Sequence, residues 1–296
     1  MYERLIYQNA NGGEIEFSPR LATLYHTNAP KDVTGLRDVS AQVLTSSTLG
    51  QDGATYESSY IKSRDITIKG KIRTLNRDEQ KRAMRELDHV LNPKVQGKLI
   101  YLYGDYRREI ICYAETAPQY KAGANWPEYT IDLLCPSPFW LEATPSYEAI
   151  STWEGGFEFP LPDGLELAEG WEVGGRTENI IVTVQNAGDV ECGVTVQFTA
   201  LGAVSTPQIL NIITGEYIKI NTSMQAADVI EVSTHYGNRK ATLIRGDTRT
   251  NIFRLVDSGS TFFQMDVGAN LFKVAAASGI TDLDTTVIYS NQYLGV

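Results

Sequence analysis

Three cysteines, three histidines and a run of basic residues are the groups in this sequence best able to do chemistry. Cys112, Cys135 and Cys192 are odd in number and widely spaced, which gives neither a disulfide framework nor a zinc-ligand pattern. Each lies in an apolar run, so buried free thiols are expected, with a reducing compartment as their context. His26, His89 and His235 are far apart in the sequence. His89 falls at the end of a helical run, where a cation suits the helix dipole, and structural or solvated roles are expected for all three. There is no phosphate-cradling Gly-rich loop with Lys-Ser or Lys-Thr, no Gly-x-Ser-x-Gly turn, no His-Glu-x-x-His and no Cys-x-x-Cys. With 36 acidic residues some carboxylate pair always falls at glycosidase spacing, so such a pair carries no signal. The expectation is therefore no catalytic residue, no metal and no cofactor.

The remaining candidates are surfaces. Residues 62–85 hold nine basic and three acidic side chains. Within them Arg77, Lys81 and Arg85 recur every four residues, which on a helix drifts only about 40° per step and makes a stripe. The rest of the chain is acidic and has no nucleic-acid fingerprint, so a solvated or partner-facing stripe is expected in place of a DNA site. Trp153 and Trp171 flank an acidic stretch and form a possible glycan platform, the bland alternative being indoles that anchor a linker. Arg245-Gly246-Asp247 reads as a turn.

Elements to position these groups can be read from periodicity. Arg64 to Arg73 alternates, with Ile66, Ile68, Gly70 and Ile72 on one side and Thr67, Lys69, Lys71 and Arg73 on the other. A helix follows, with Asn76 as N-cap, Glu79 completing a capping box, and Ala83, Met84, Leu87, Val90 and Leu91 on one face before Asn92-Pro93 stops it. Leu99–Tyr103 and Glu109–Ala114 read as a hairpin across Gly104-Asp105, and Tyr129–Cys135 as a strand. The stretch 36–63 is polar and loop-like yet keeps scattered Val, Leu and Tyr, which predicts an extended arm or hairpin ordered against a neighbouring subunit, with Gln51, Asp52 and Tyr56 at the contact. Beyond residue 180, short β-branched or aromatic runs alternate with turn signals, the spacing of an antiparallel sandwich; Ile252–Leu255 and Phe262–Val267 are among the predicted strands.

The whole is 296 residues at a net charge of −10, with 42% hydrophobic residues, too long for one small module and ordinary for a globular chain. Residues 1–150 carry 18 basic and 19 acidic side chains, and 151–296 carry 8 and 17, so composition shifts near 150. The prolines of Cys135-Pro136-Ser137-Pro138 and Thr144-Pro145 place a connector between 140 and 155, giving domains at 1–145 and 146–296. The N-terminus lacks a signal-peptide pattern and there is no long apolar run, so neither secretion nor a membrane is expected. The fold class predicted is mainly β with one amphipathic helix: an α+β N-terminal domain and a C-terminal antiparallel β-sandwich.

Several segments together resemble the distal tail protein family of long-tailed siphophages, mainly of Gram-positive hosts. They are Gly50-Gln51-Asp52-Gly53, Arg64 to Ile72, Leu91-Asn92-Pro93 with Gly97-Lys98-Leu99, and Cys135 to Trp140 in the first part. In the second they are Asn186 to Val190, Asn211 to Tyr217, Gly259 to Phe263, Gly268-Ala269-Asn270 and Tyr293 to Val296. The resemblance implies a tail-tube-like ring domain with a reaching arm and a peripheral galectin-like or carbohydrate-module-like sandwich. It implies a hexameric ring, a homo-oligomer that joins tail tube protein to tail tip or baseplate hub protein and in some members holds a receptor-binding protein. The virion tail would be its location, after synthesis in the host bacterial cytoplasm. Two other classes stay open on the residues: a carbohydrate-binding adhesion module, and a sandwich hydrolase acting on host cell-wall polysaccharide.

Overall fold

The computed structural model describes residues 2–20, 23–29, 31–74, 76–122, 126–150, 153–155, 174–176 and 181–296, with backbone only for 153–155 and 174–176. The chain separates into two compact units, one of Met1–Ala143 with Gln292–Val296 and one of Thr144–Asn291. Residues 292–296, assigned on sequence to the second part, thus lie in the first unit. The reason is a strand pairing: Gln292–Tyr293 lies antiparallel to Trp140–Glu142, with Trp140 opposite Tyr293.

In the first unit, alternation of apolar and polar residues closes a sheet on itself. Arg4–Asn9 pairs with Glu14–Ser18, which pairs with Tyr25–His26, and the ring runs on through Arg64–Ile72, Glu128–Cys135, Tyr106–Ala114 and Gly97–Tyr103 back to Arg4–Asn9. The short contact Leu133 with Ala114 and Leu134 with Tyr113 closes the barrel. Every second residue points inward, so Leu5, Tyr7, Phe17, Ile66, Ile68, Ile72, Ile131 and Leu133 fill one core, each aliphatic contributing about 1.5–3 kcal/mol on burial.

The helix Arg77–Val90 covers this barrel with Ala83, Leu87 and Val90 buried and Leu91 beneath its C-terminus, while Met84 is half-buried. Asn76 Oδ1 accepts the Asp78 amide at 2.9 Å, the expected cap. Glu79 does not close the expected capping box on Asn76. Thr74 intervenes: its hydroxyl donates to Glu79 and accepts the Asn76 amide, so one side chain bridges the two groups that the box would join directly. Two tyrosines fix the helix to the sheet, Tyr25 through Glu86 at 2.6 Å and Tyr120 through Asp88 at 2.9 Å.

The second unit is built on two larger antiparallel sheets, with two short two-stranded pairings beside them. One runs in the order Ser146–Ile150, Leu283–Tyr289, Val194–Ala200, Val229–Ser233, Lys240–Arg245, Thr248–Asn251; the other runs Ile181–Asn186, Gly268–Ala275, Gln208–Asn211, Tyr217–Lys219. Val194, Val196, Phe198 and Val232 of the first and Val184, Ile209, Ile218 and Phe272 of the second share one apolar cluster. Two predicted strands are absent. Residues 253–255 form a turn of 3-10 helix, started by Asn251 Oδ1 accepting the Phe253 amide at 2.9 Å. Residues 262–267 bury Phe263 and Met265 with strand-like alternation but make only an isolated bridge, Cys192 to Met265. Alternation reports burial there, and not pairing. Arg245-Gly246-Asp247 is the expected turn, with Gly246 at φ +55 between paired strands.

Candidate interaction surfaces

The three thiols are put out of reach of solvent. Cys112, Cys135 and Cys192 are buried and unpaired. A hydrogen bond with Cys135 and burial raise the Cys112 thiol pKa far above its ordinary value, and burial pushes Cys192 up to about 12. Such thiols stay protonated and are poor nucleophiles. His26 and His235 are half-buried, and burial lowers both imidazoles. His89 is exposed in the last helical turn. Among the described residues no three His, Cys, Asp or Glu side chains are grouped to hold a metal ion, and no helix is long and apolar enough to cross a membrane. Trp153 lies in a short strand, Trp153–Gly155, but its side chain and the whole of Trp171 fall outside the described residues.

The basic run 62–85 is not one surface. Arg64 points into the barrel wall, only 3% exposed, and its guanidinium donates to four backbone carbonyls: Pro138 at 2.7 Å, Gly35 at 2.7 Å, Leu36 at 3.0 Å and Leu294 at 2.5 Å. The period of two already places Arg64 on the side of Ile66 and Ile68, and that parity is the signal for it. Lys69, Lys71 and Arg73 face outward from the same strand, beside Trp126. Arg77, Lys81, Arg82 and Arg85 are exposed on the helix, as predicted, but Glu79, Glu86 and Asp88 are exposed with them. The stripe is a mixed-charge face, which suits a protein partner better than a polyanion.

The third surface is the arm. Ala41–Ser46 and Thr55–Ile61 form a two-stranded hairpin that pairs with no other strand among the described residues. Its rise of about 3.3 Å per residue carries it roughly 20 Å from its root. Residues 43–60 are all exposed, including Val43, Leu44, Tyr60 and Leu49, the last fully so. The tip is built locally: Gln51 Oε1 accepts the Thr48 amide at 3.2 Å and Gln51 Nε2 donates to Thr55 at 3.1 Å, with Gly50 and Gly53 at positive φ. Gln51 therefore orders the tip itself, Asp52 is exposed beside it, and Tyr56 is 62% exposed with its hydroxyl 2.9 Å from Ser59. An isolated two-stranded ribbon is marginal in water, and one carrying this much apolar surface is suited to burial against a partner.

The root of the arm is tightly packed. Gly35 has φ +85, and a Cβ there would lie 2.0 Å from the Asp65 carbonyl oxygen, so only glycine fits. Its carbonyl is one of those held by Arg64, which ties the arm root to the barrel wall. Sequence reading missed this, because glycine outside a recognisable turn motif carries no signal of close approach.

Sequence and structure comparisons converge. Residues 23–135 match the model of the phage tail protein RIFT-related domain, and residues 187–293 match the siphovirus-type tail component, C-terminal domain. No curated protein matches the sequence. Among solved structures, the chain is similar to the SPP1 Dit protein, described as a paradigm of the hub adsorption apparatus in phages that infect Gram-positive hosts. That likeness has 11% identity and a TM-score of 0.68, and covers 97% of this chain and 98% of the other. It is also similar to a chain of the phage P2 baseplate in its activated conformation with Ca, at 12% identity, a TM-score of 0.54 and 98% coverage of both chains.

Proposed function

We propose a structural hub function for this chain, which belongs to the distal tail protein family of siphophages. It is a component of the phage tail or baseplate, so its place is the virion tail. In the proposed assembly six copies close a ring through head-to-tail contacts, the ring joins the tail tube protein above to the tail tip or baseplate hub below, and the function is architectural and not catalytic. The first unit builds the ring. The second unit stands at the periphery as a sandwich of galectin-like or carbohydrate-module-like type and is where a receptor-binding protein would attach.

The observation that carries this reading is the hairpin of residues 41–61. It leaves its own barrel, is exposed along its length and presents Val43, Leu44, Leu49, Tyr56 and Tyr60, a surface that needs a neighbour to cover it. Mass measurement of the full chain with and without residues 41–60 tests it: the intact chain should form rings and the shortened one should stay folded but dissociated.

Glycan binding remains a second reading, on a specific feature of the second unit. Phe253 and Phe262 stack in parallel with centroids 5.5 Å apart, and the Arg239 guanidinium lies 5.8 Å from Phe262 and 5.3 Å from Tyr236, which is 69% exposed. Phe262 is half-buried against the core, and the exposed rings, Tyr236 and Phe253, are the ones a sugar face could stack on. Saturable binding of cell-wall glycan, lost in Tyr236→Ala, would support it.

A further inference from the structure

The outer wall of the first-unit barrel carries a depression of about 390 Å³, bordered by the strands Tyr25–His26, Arg64–Ile72 and Glu128–Cys135 and by Asn28 and Asp32. Its charged lining is Lys69, Lys71 and Arg73 against Asp32 and Glu128. Both acids are already engaged. Glu128 sits 3.2 Å from Lys71 Nζ, and Asp32 Oδ2 accepts from Asn28 Nδ2 at 3.0 Å.

Arg73 is not engaged in the same way. Its guanidinium lies against the Trp126 ring, 5.2 Å from the centroid, and its Nε is buried without a hydrogen-bond partner. A buried guanidinium donor with no acceptor is costly to maintain, and a guanidinium beside an indole keeps its charge in a weakly hydrated setting where an anion gains most. Lys69 makes no ion pair among the described residues and adds a second unspent cation. Beneath them Gly70 opposes Tyr129, whose ring occupies the space a Cβ would need, so the strand passes without a side chain at that point.

The charge count decides the ligand. Three cations against two acids leave a single positive charge, with one guanidinium nitrogen, Arg73 Nε, lacking an acceptor. That matches one carboxylate, which a guanidinium binds through parallel hydrogen bonds. A phosphate dianion would bring its second charge beside Asp32 and Glu128 and meet repulsion. The volume is at the lower end of ligand pockets and holds a side chain with some of its backbone, and the Trp126 ring offers an apolar wall to the methylenes. We propose that this pocket receives an aspartate or glutamate side chain from an extended acidic segment of a partner protein. The assignment rests on the pocket alone and does not require the ring.

The test is calorimetric titration of the full-length chain at low ionic strength with a capped tetraglutamate peptide, and with tetraglutamine, inorganic phosphate and poly(glycerol phosphate) as comparison probes. Tetraglutamate should bind saturably at millimolar concentrations, tetraglutamine should not, and both phosphate probes should bind more weakly than tetraglutamate. Arg73→Gln should weaken the peptide at least fivefold, with Arg73→Lys intermediate because it keeps charge without the fork. Should Arg73→Gln fail to fold, Lys69→Gln, at an exposed position, should still weaken binding at least twofold. Equal affinity in wild type and in Lys69→Gln and Arg73→Gln would overturn the proposal, as would no saturable binding of tetraglutamate. Tighter binding of either phosphate probe would also overturn it and assign the pocket to a phosphate-bearing ligand.

Discussion

The guanidinium of Arg64 donates to the backbone carbonyl of Leu294, 230 residues later in the chain, and thereby joins the barrel wall to the last strand of the first unit. The same group holds Gly35, Leu36 and Pro138, while Arg37 Nε donates to the Val296 carbonyl at 2.6 Å and the Tyr293 ring lies 3.8 Å from the Arg108 guanidinium. The arm root, the end of the barrel and the C-terminal strand are therefore one hydrogen-bonded knot around a buried charge.

Replacing Arg64 should release that knot. Arg64→Met keeps the bulk but leaves buried carbonyls without donors, and should lower the unfolding free energy by about 3 kcal/mol in denaturant titration. Deleting residues 292–296 should destabilise the first unit in the same direction. An unchanged midpoint in both variants would show that the backbone carbonyls find other donors.

Gly35→Ala should be as damaging by a different route. The new Cβ would collide with the Asp65 carbonyl and the left-handed backbone would be strained, together costing more than about 2 kcal/mol. Gly53→Ala, where nothing lies within 4 Å of the added atom, carries only the strain of its positive φ and should cost clearly less. Equal losses at the two sites would mean that close packing at the arm root does not matter.

Much of this was legible beforehand. The strand Arg64–Ile72, the Asn76-capped helix and the hairpin across Gly104-Asp105 follow from local rules, because periodicity and capping act over a few residues. Arg64 was readable only by parity, since a charged residue inside an alternating strand reads as exposed until its partners are known, and those partners are backbone atoms from distant segments. The return of Gln292–Tyr293 to Trp140–Glu142 has no local signature at all. The basic, aromatic-walled depression at Arg73 and Trp126 depends on three strands meeting, which no spacing in one segment reveals.

Stability should fall on acidification in two stages. His26 and His235 have lowered pKa values through burial, so below about 6.5 the unfolded imidazoles gain protons that the folded ones do not, and stability begins to drop. Asp228 accepts from Arg245 at 2.8 and 2.6 Å, which with the Gln225 amide holds its carboxyl below the usual value. Its contribution is fully present above about pH 4 and is lost as pH falls through the folded pKa. Urea midpoints between pH 7 and pH 3 should trace both stages. Asp228→Asn should lower the pH 7 midpoint and flatten the most acidic part of the curve; an acid limb identical to wild type would contradict this.

The helix stripe should matter to encounter and not to folding. Arg77, Lys81 and Arg85 are exposed, so their joint replacement by Gln should leave the melting temperature nearly unchanged. Assembly should slow and lose part of its salt dependence, because exposed charges steer association. Binding of duplex DNA at physiological salt by the wild-type chain, lost in the triple variant that still assembles normally, would assign the stripe to nucleic acid.

Ring closure through the exposed arm, as proposed, is read out by mass photometry joined to negative-stain electron microscopy. The intact chain should give six-fold rings with a mass six times that of one chain, in rising proportion with concentration. Removal of residues 41–60 should leave a folded monomer with an unchanged β-type circular dichroism spectrum and no rings. A full-length chain that stays monomeric at every concentration, or a shortened chain that forms rings as readily as the intact one, would rule out ring closure through the arm.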